Sequence, residues 1–579
     1  MGLERLAQRL GLSTYFEDSL FDGRRCKTLL IGGSALEVTI LVDSNIVQSV
    51  TVGYPMSSPV VTRHADGASQ ILLRDLSLRS RQSPLTKTLD KFASNLEYLA
   101  NLDKLSVVPG LDCHEALAGI FESLERLQQW DMAKLREDEQ VQRHIQRRLA
   151  EDISIRAGHA LVEATSLSND LAEEILRLET MCTKHGLPVM NARDRVGLSI
   201  EYWKDFRRND PLALSGTGQK GLQGKLEQVW ALRLGCAPLN GSIYPAIRTS
   251  DKWISPAIER TAPLHEDLLA MTQGPVLDWQ EPPPTMLPVS DESSRPAVEG
   301  LRAQKHPDVM FVATLEPPIT FPQAVWNQLF QATGSMGPVP SSYPTFDSIF
   351  FPIPTGINHV ASEARMIKRK RVVRIPTAAS KHGAGTELPY ETTLFIYKPV
   401  YGQTLEELPF SHPRQLVAIL PVLRQYAFLS AVLKNTFASN DDPSQITPLV
   451  DPPGPARTTT AKDDLAMFSS PVHRSGDLSG ERFRLDVTLA VHPVPRLHVV
   501  FPFRSATADV VVEIRHNGSV FVVSQNIVPD DESGVEIKPR ETAWAGPDGR
   551  TVDKHSLGLL LEILQDLCLW TQWIQRRLG

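Results

Sequence analysis

Cysteine is scarce in this chain and poorly placed for any framework. There are five, Cys26, Cys113, Cys182, Cys236 and Cys568, far apart and with no CxxC spacing among them. An odd, scattered set excludes a disulfide scaffold and a zinc ribbon, and a reducing compartment, cytosol or nucleus, is expected. An excess of positive charge is missing too, since 60 Lys+Arg against 67 Asp+Glu leave a net charge of −7. Proteins that grip nucleic acid by its phosphates carry a basic surplus, so no direct nucleic-acid contact is expected. No run of eighteen or more apolar residues occurs, and no membrane span is expected. The first residues, MGLERLAQRL, lack the basic start and apolar stretch of a secretory signal. Gly2 follows Met1, but Leu6 stands where a myristoylation pattern needs Ser or Thr. HExxH, GxSxG, DFG and His-rich tracts are absent, so the sequence makes no case for an enzyme, a metal or a cofactor. These absences together predict a soluble, intracellular chain.

What the chain does have is length and pattern. Its 579 residues, 42% of them apolar, leave room for about two to four domains with sizeable cores. Residues 83–130 carry the strongest pattern. Ser83-Pro84 is a helix start, a capping hydroxyl followed by a ring already fixed at helical φ. Leu85, Leu89, Phe92, Leu96 and Leu99 follow at spacings of four and three, an apolar stripe. A break from Val107 to Leu111 contains Pro109-Gly110, and Leu117, Phe121, Leu124 and Leu127 then form a second stripe that runs toward Trp130. This is a helical hairpin. Its stripes either pack on each other or present apolar surface to a partner.

Before the hairpin, residues 26–54 alternate as strands do, with a turn at Asp43-Ser44-Asn45, and predict a small antiparallel meander. After it come a charged helix over Leu135–Leu149 and another over Leu161–Cys182. Lys184, His185 and Gly186 suit the end of the second. Strands are expected at Arg195–Trp203, Val229–Cys236, Val309–Thr314, Phe346–Phe351 and Thr393–Tyr397. A helix through Leu416, Ile419, Leu420, Leu423 and Leu433 is expected to bend at Pro421. Phe483 to Val491 alternates cleanly, and Val510–Arg515 pairs with Ser519–Val523 across Asn517-Gly518. A broadly apolar helix, Ser556 to Arg577, closes the chain.

The fold class is therefore α+β: an N-terminal β-meander with a helical hairpin and further helices, then a β-rich C-terminal half with antiparallel sheets and a closing helix. The expected division is 1–205 as an N-terminal α+β region, 206–273 as a β-containing segment with a mobile loop, and 274–305 as a linker. Residues 306–435 follow as an α+β domain, 436–480 as a disordered insertion rich in Asp, Pro, Ser, Thr and Gly, and 481–579 as a C-terminal sheet and helix.

Several motifs resemble chemical signatures by letter. Gly216-Thr217-Gly218-Gln219-Lys220-Gly221 matches GxGxxG by letter, but Asp210-Pro211 precedes it and a strand, not a helix, follows, so a mobile loop is the better reading. His492 and His498 have no third ligand near in sequence. Cys113-His114 opens a helix without a base or an oxyanion donor in view. Leu557-Gly558-Leu559-Leu560-Leu561 spells LxxLL, yet lies in a helix apolar almost all round, so its leucines read as core. Lys368, Arg369, Lys370 and Arg371, with Arg374 beyond, are the one concentrated basic run. It is either a nuclear-import or acidic-partner patch or the solvated edge of a strand.

The wording of two segments goes further than periodicity. LTKTLDKFASNLEYLANLDKLS with PGLDCHEALAGIFESLERL, and RVGLSIEYW at Arg195–Trp203, resemble subunit 1 of the Mediator coactivator complex in its fungal form. The meander at 26–54 is similar in order and pattern. Family members often carry a His shortly before that Arg, where this chain reads Val189-Met190-Asn191-Ala192. The resemblance implies a nuclear, non-catalytic scaffold of the Mediator middle module. Such a subunit relays signals from transcription factors to RNA polymerase II. Other Mediator subunits are its expected partners, subunits 4 and 9 foremost, with no obligate homo-oligomer. The interface candidates are then Leu85, Leu89, Phe92, Leu96, Leu99, Leu117, Phe121, Leu124, Leu127 and Trp130. Two rivals stay open, a peptide- or partner-binding module outside Mediator and an enzyme assembled from dispersed residues such as Asp486, His492 and His498.

Overall fold

The computed structural model describes residues 2–578 apart from 22–23, 44–45, 79–85, 108–109, 140, 144, 147–163, 207–227, 240–243, 261–275, 289–303, 353–362, 376–385, 438–482 and 529–551. Helix α1 (Gly2–Arg9) leads into four strands, β1 (Ser13–Phe21), β2 (Arg24–Gly32), β3 (Glu37–Asp43) and β4 (Ile46–Gly53), paired in that order. The expected meander is present but starts at Ser13. Strand β1 lies at the sheet edge with Tyr15, Phe16, Glu17 and Asp18 all exposed, so it needs no apolar face and gives no alternation to read. Leu29, Ile31, Val38, Ile40, Val50 and Val52 point to the other layer. After α2 (Pro59–Thr62), that layer is made by α3 (Ala65–Leu76) and α4 (Asp90–Leu105). Ile71, Leu72, Phe92, Leu96 and Leu99 complete a first core, each buried side chain contributing roughly 1.5–3 kcal/mol.

Helix α4 begins at Asp90, not at Ser83; Ser83, Pro84 and Leu85 lie outside the described residues, and half-buried Leu89 precedes the first turn. Val107 and Leu111 close the loop after α4 by an antiparallel bridge, and Asp112 caps α5 (Cys113–Glu137) by accepting from His114 N and Glu115 N. The last turn of α5 takes in Leu135, the first residue of the charged helix expected there. Helix α6 (Ala164–Thr183) is followed by Lys184, His185 and Gly186, the last at φ 86° in the left-handed region its residue type allows.

A second, larger core follows. Strands β5 (Leu187–Met190), β6 (Leu198–Lys204) and β7 (Val229–Pro238) precede four short ones, β8 (Ile254–Glu259), β9 (Leu277–Trp279), β10 (Leu287–Pro288) and β11 (Gln304–Lys305). Three of these short strands fall inside the 274–305 segment read as a structureless linker. They are too short to show a period. Next come β12 (Val309–Pro322), α7 (Gln323–Ala332) and α8 (Phe346–Phe350). The last corrects an expected strand: Phe346 and Phe350 meet on one helical face with ring centres 5.1 Å apart and tilted by 46°, and a short apolar run cannot reveal its period. Strands β13 (Arg365–Ile375), β14 (Thr386–Ile396) and β15 (Gly402–Phe410) lead to α9 (Pro413–Thr436), then β16 (Phe483–Ala490), β17 (Arg496–Phe503), β18 (Ala506–Ile514) and β19 (Val520–Gln525). Helices α10 (Lys554–Leu564) and α11 (Leu567–Leu578) end the chain. The single closing helix expected is thus two, divided at Gln565, whose φ of 49° no helix interior allows.

Two sheets share this core. One is antiparallel, in the order β15-β12-β7-β6-β5, and draws strands from three of the expected segments, 1–205, 206–273 and 306–435. The other runs β13-β14-β16-β17-β18-β19, with β14 and β16 parallel and every other pair antiparallel. Helix α9 packs against β12, β6 and β15 of the first sheet and the β18–β19 turn of the second. By length and composition alone it could cross a membrane, yet 78% of its most apolar window is buried inside the protein. It runs through Pro421 to Thr436, the first residue of the insertion expected at 436–480; the rest of that insertion beyond Phe437 lies outside the described residues, as does Gly216–Gly221. Mid-helix, the buried Arg424 guanidinium donates to Tyr202 O (3.1 Å), Met181 O (2.9 Å), Lys184 O (2.6 Å) and Asn517 Oδ1 (2.7 Å). One side chain thereby ties α6, β6, α9 and the β18–β19 turn together.

Candidate partner-binding site

The two stripes of the hairpin reach different destinations. Phe92, Leu96 and Leu99 of α4 fill the first core, whereas Leu117, Phe121, Leu124 and Leu127 of α5 fill the second, and all seven are buried. Offering them to a partner would mean emptying a core. For these seven interface candidates burial is the correction: they pack on sheets within the chain, while Leu85 lies outside the described residues. Among the described candidates Leu89 and Trp130 are half-buried, and Lys134 Nζ lies 5.6 Å from the Trp130 ring centre. The solvent side of α4 is Lys91, Glu97, Asn101 and Lys104.

Polar side chains of α4 hold the two cores together. Asp103 accepts from the backbone N–H groups of Ser34 (2.8 Å), Ala35 (2.7 Å) and Leu36 (3.0 Å), and so caps the β2–β3 turn from below. Asn95 donates to Asp75 Oδ2 (2.8 Å) and Asp194 O (2.9 Å) and accepts from Val196 N (3.1 Å). Tyr98 OH donates to Leu234 O (2.7 Å), and Arg233 stacks 4.1 Å over the Tyr98 ring. Asn191, in the loop that departs from the family wording, donates to His64 O (2.7 Å) and accepts from Gly197 N (2.9 Å). The amide therefore does structural work there that binds β5–β6 to the helical layer.

Between the cores lies a cavity of about 40 Å³ lined by Tyr54, His64, Tyr98, Leu102, His114 and Leu198, among others. Nε2 of both histidines is buried without a hydrogen-bond partner among the described residues. Burial, first of all, lowers the pKa of His64 and His114 from the usual imidazole value. A groove of about 350 Å³ runs between α5, α6 and β5, over Phe121, Glu125, Gln128 and Met132. Burial and the neighbouring Glu122 raise the Glu125 carboxyl. In the second core, burial lifts Asp205 to about 6 although Trp230 Nε1 donates to it at 2.9 Å.

None of the sequence's chemical candidates converge. His498 faces solvent on β17 and pairs with Asp509 (2.7 Å), Asp486 pairs with Arg484 (2.9 Å), and His492 is exposed beyond β16. Cys113 is buried at the start of α5 against Cys236, whose thiol burial pushes up. Among the described residues no group of three His, Cys, Asp or Glu side chains could hold a metal. Leu557 and Leu561 of the LxxLL run are buried. The basic run lies on β13, an edge strand: Lys368 and Lys370 are exposed, Arg369 and Arg371 turn inward, and Arg371 pairs with Asp566 at 2.6 Å. Large apolar exposures fall outside the hairpin, at Met336 (95%), Val339 (90%) and Tyr15 (64%).

Comparison with known families gives one assignment. Residues 1–438 match the family of Mediator of RNA polymerase II transcription subunit 1. No curated protein matches the chain. The matched region covers the whole first core and enters the second, stopping just after α9.

Proposed function

Because the chain belongs to the family of Mediator of RNA polymerase II transcription subunit 1, and is thus a non-catalytic component of that coactivator complex, we propose that it is a fungal-type scaffold of the middle module. In this reading it catalyses no reaction, works in the nucleus and relays regulatory signals from transcription factors to RNA polymerase II. Its partners are other Mediator subunits, and subunits 4 and 9 are the ones it is proposed to touch directly. The observation that carries the reading is the match over 1–438, which includes the whole first core and the part of the second built by elements up to α9. With the hairpin stripes buried, contact falls to surfaces outside them. The test is purification of the tagged full chain from nuclear extract, with quantitative mass spectrometry and cross-linking. Near-equal recovery of middle-module subunits, with direct cross-links to subunits 4 and 9, is the expected result. A monodisperse chain without Mediator partners would sink the reading.

A further inference from the structure

None of the residues 317–346 is Asp, Glu, Lys, Arg or His, in a chain where 22% of residues are charged. This stretch is not interior. It covers the end of β12, all of α7 and the loop to α8, and Ala324, Asn327, Gln328, Gln331, Met336, Val339 and Tyr343 on it are exposed. A free protein surface normally mixes charges of both signs, while the centre of a protein interface is depleted of Lys, Glu and Asp and enriched in Met and Tyr. In its lack of charge the stretch matches an interface centre, and Met336 and Tyr343 are of the residue types enriched there.

The loop that carries Met336 and Val339 is anchored. Ser335 N donates to Phe330 O (2.9 Å), Gln403 Nε2 to Ser342 O (3.0 Å) and Gly402 N to Pro344 O (2.9 Å). Gly337 lies so close to Trp326 that a Cβ there would stand 2.3 Å from the indole. Pro338, Pro340 and Pro344 fix φ at three further positions. At its base Tyr343 meets Tyr401 edge to face at 6.2 Å, both half exposed. Met336 and Val339 are thereby held out in water at 95% and 90% exposure on a restrained backbone, which lowers the backbone entropy lost on docking.

We propose that the anchored loop at 334–344, with the outer side of α7, is a docking surface for another Mediator subunit, one presenting an uncharged apolar pocket that receives Met336 and Val339. The absence of charge selects this occupant. An acidic or basic partner would find nothing to pair with, and its own charges would be desolvated without compensation. The inference rests on the chain being a Mediator subunit and adds the place of contact.

The experiment is reconstitution of the full chain with the middle-module subunits, comparing wild type, Met336→Asp/Val339→Asp and Met336→Leu/Val339→Ile. A photo-crosslinking amino acid at position 336 of the otherwise wild-type chain is run in parallel. Both side chains are exposed, so thermal unfolding of all three chains is expected to coincide. The expected result is at least a tenfold loss of affinity for the Asp pair and near-wild-type affinity for the apolar pair. The cross-link should go to one Mediator subunit. Unchanged affinity of the Asp pair would overturn the proposal, as would cross-links only to a second copy of this chain or to none of the subunits. Failure of the wild-type chain itself to assemble would instead refute the middle-module reading, and this docking site with it.

Discussion

The two cores of this protein are built on opposite plans. The first is local: one meander, β1 to β4, takes helices α3 and α4 from the next fifty or so residues, and nearly all its members lie between Ala7 and Ala100. The second is assembled from afar, with α5 near its beginning, α11 at its end and a parallel pairing of β14 to β16 across a long intervening segment. Their polar fastenings differ in the same way. Asp103 reaches back to a turn about seventy residues earlier. Arg424 draws together groups from both sides of it in sequence, more than two hundred residues before and about ninety after. Local construction makes a core readable and self-sufficient; distant construction makes it cooperative, because no part of it is complete alone.

Ending the chain at residue 438, where the family match stops, is the strongest way to break this comparison. It removes β16–β19, α10 and α11, and with them Leu485, Val487, Leu497, Val499, Val510, Val512, Leu561 and Trp570 from the second core. At roughly 1.5–3 kcal/mol for each buried side chain, the expected outcome is loss of soluble, cooperatively folded protein. Size-exclusion chromatography and urea unfolding would show it. A 1–438 chain with a sharp transition would mean that the second core is really two.

Arg424→Met should have the next largest effect. Three backbone carbonyls and the Asn517 amide would lose their donor in the interior, and destabilisation of roughly 3–5 kcal/mol is expected from urea unfolding. Asp103→Ala leaves three turn N–H groups without their acceptor, at a cost of about 1–3 kcal/mol. Hydrogen exchange should place that loss in β2–β3 and spare the six-stranded sheet. Spread of the effect to both cores would show that α4 couples them tightly.

Acidity provides the finest distinction. His114 has its folded-state pKa lowered by burial, so the unfolded chain takes up a proton more readily. Its contribution is present above the ordinary value of about 6.5 and is lost as pH falls below it. Asp205 is raised to about 6, so the unfolded chain holds its proton less tightly than the folded one. Its contribution is full below the ordinary carboxylate value and is lost as pH rises through 6. Between pH 7 and pH 5, His114→Gln should therefore flatten a decline and Asp205→Asn should remove a gain, both read from unfolding midpoints. The same sign for the two variants would contradict the environments described.

Where the sequence could be read, a local period was the reason. The meander strands 37–43 and 46–53, α5 and the strand at 483–490 repeat every two or every three to four residues, and the turn at Asn517-Gly518 takes φ of 60° and 66° as its residue types require. Strand β1 escaped because an edge exposed on both faces has no period, and α8 because five residues are too few. The two stripes left a partner reading open for a different reason. An apolar stripe shows that a helix face will be covered, but not by what. The α4 and α5 stripes are alike on paper and are covered here by two different sheets of the same chain.

The sequence by itself determined the α+β class, the elements of the N-terminal region and, through its wording, the family, because these depend on residues close together along the chain. Only the tertiary structure decided which apolar faces were left over. That depends on which sheet arrives to cover each stripe, and the sheets here join strands hundreds of residues apart. The exposure of Met336 and Val339 is the clearest instance: their composition could be read, but their position in water is fixed by Trp326, Gln403 and the strand beneath them.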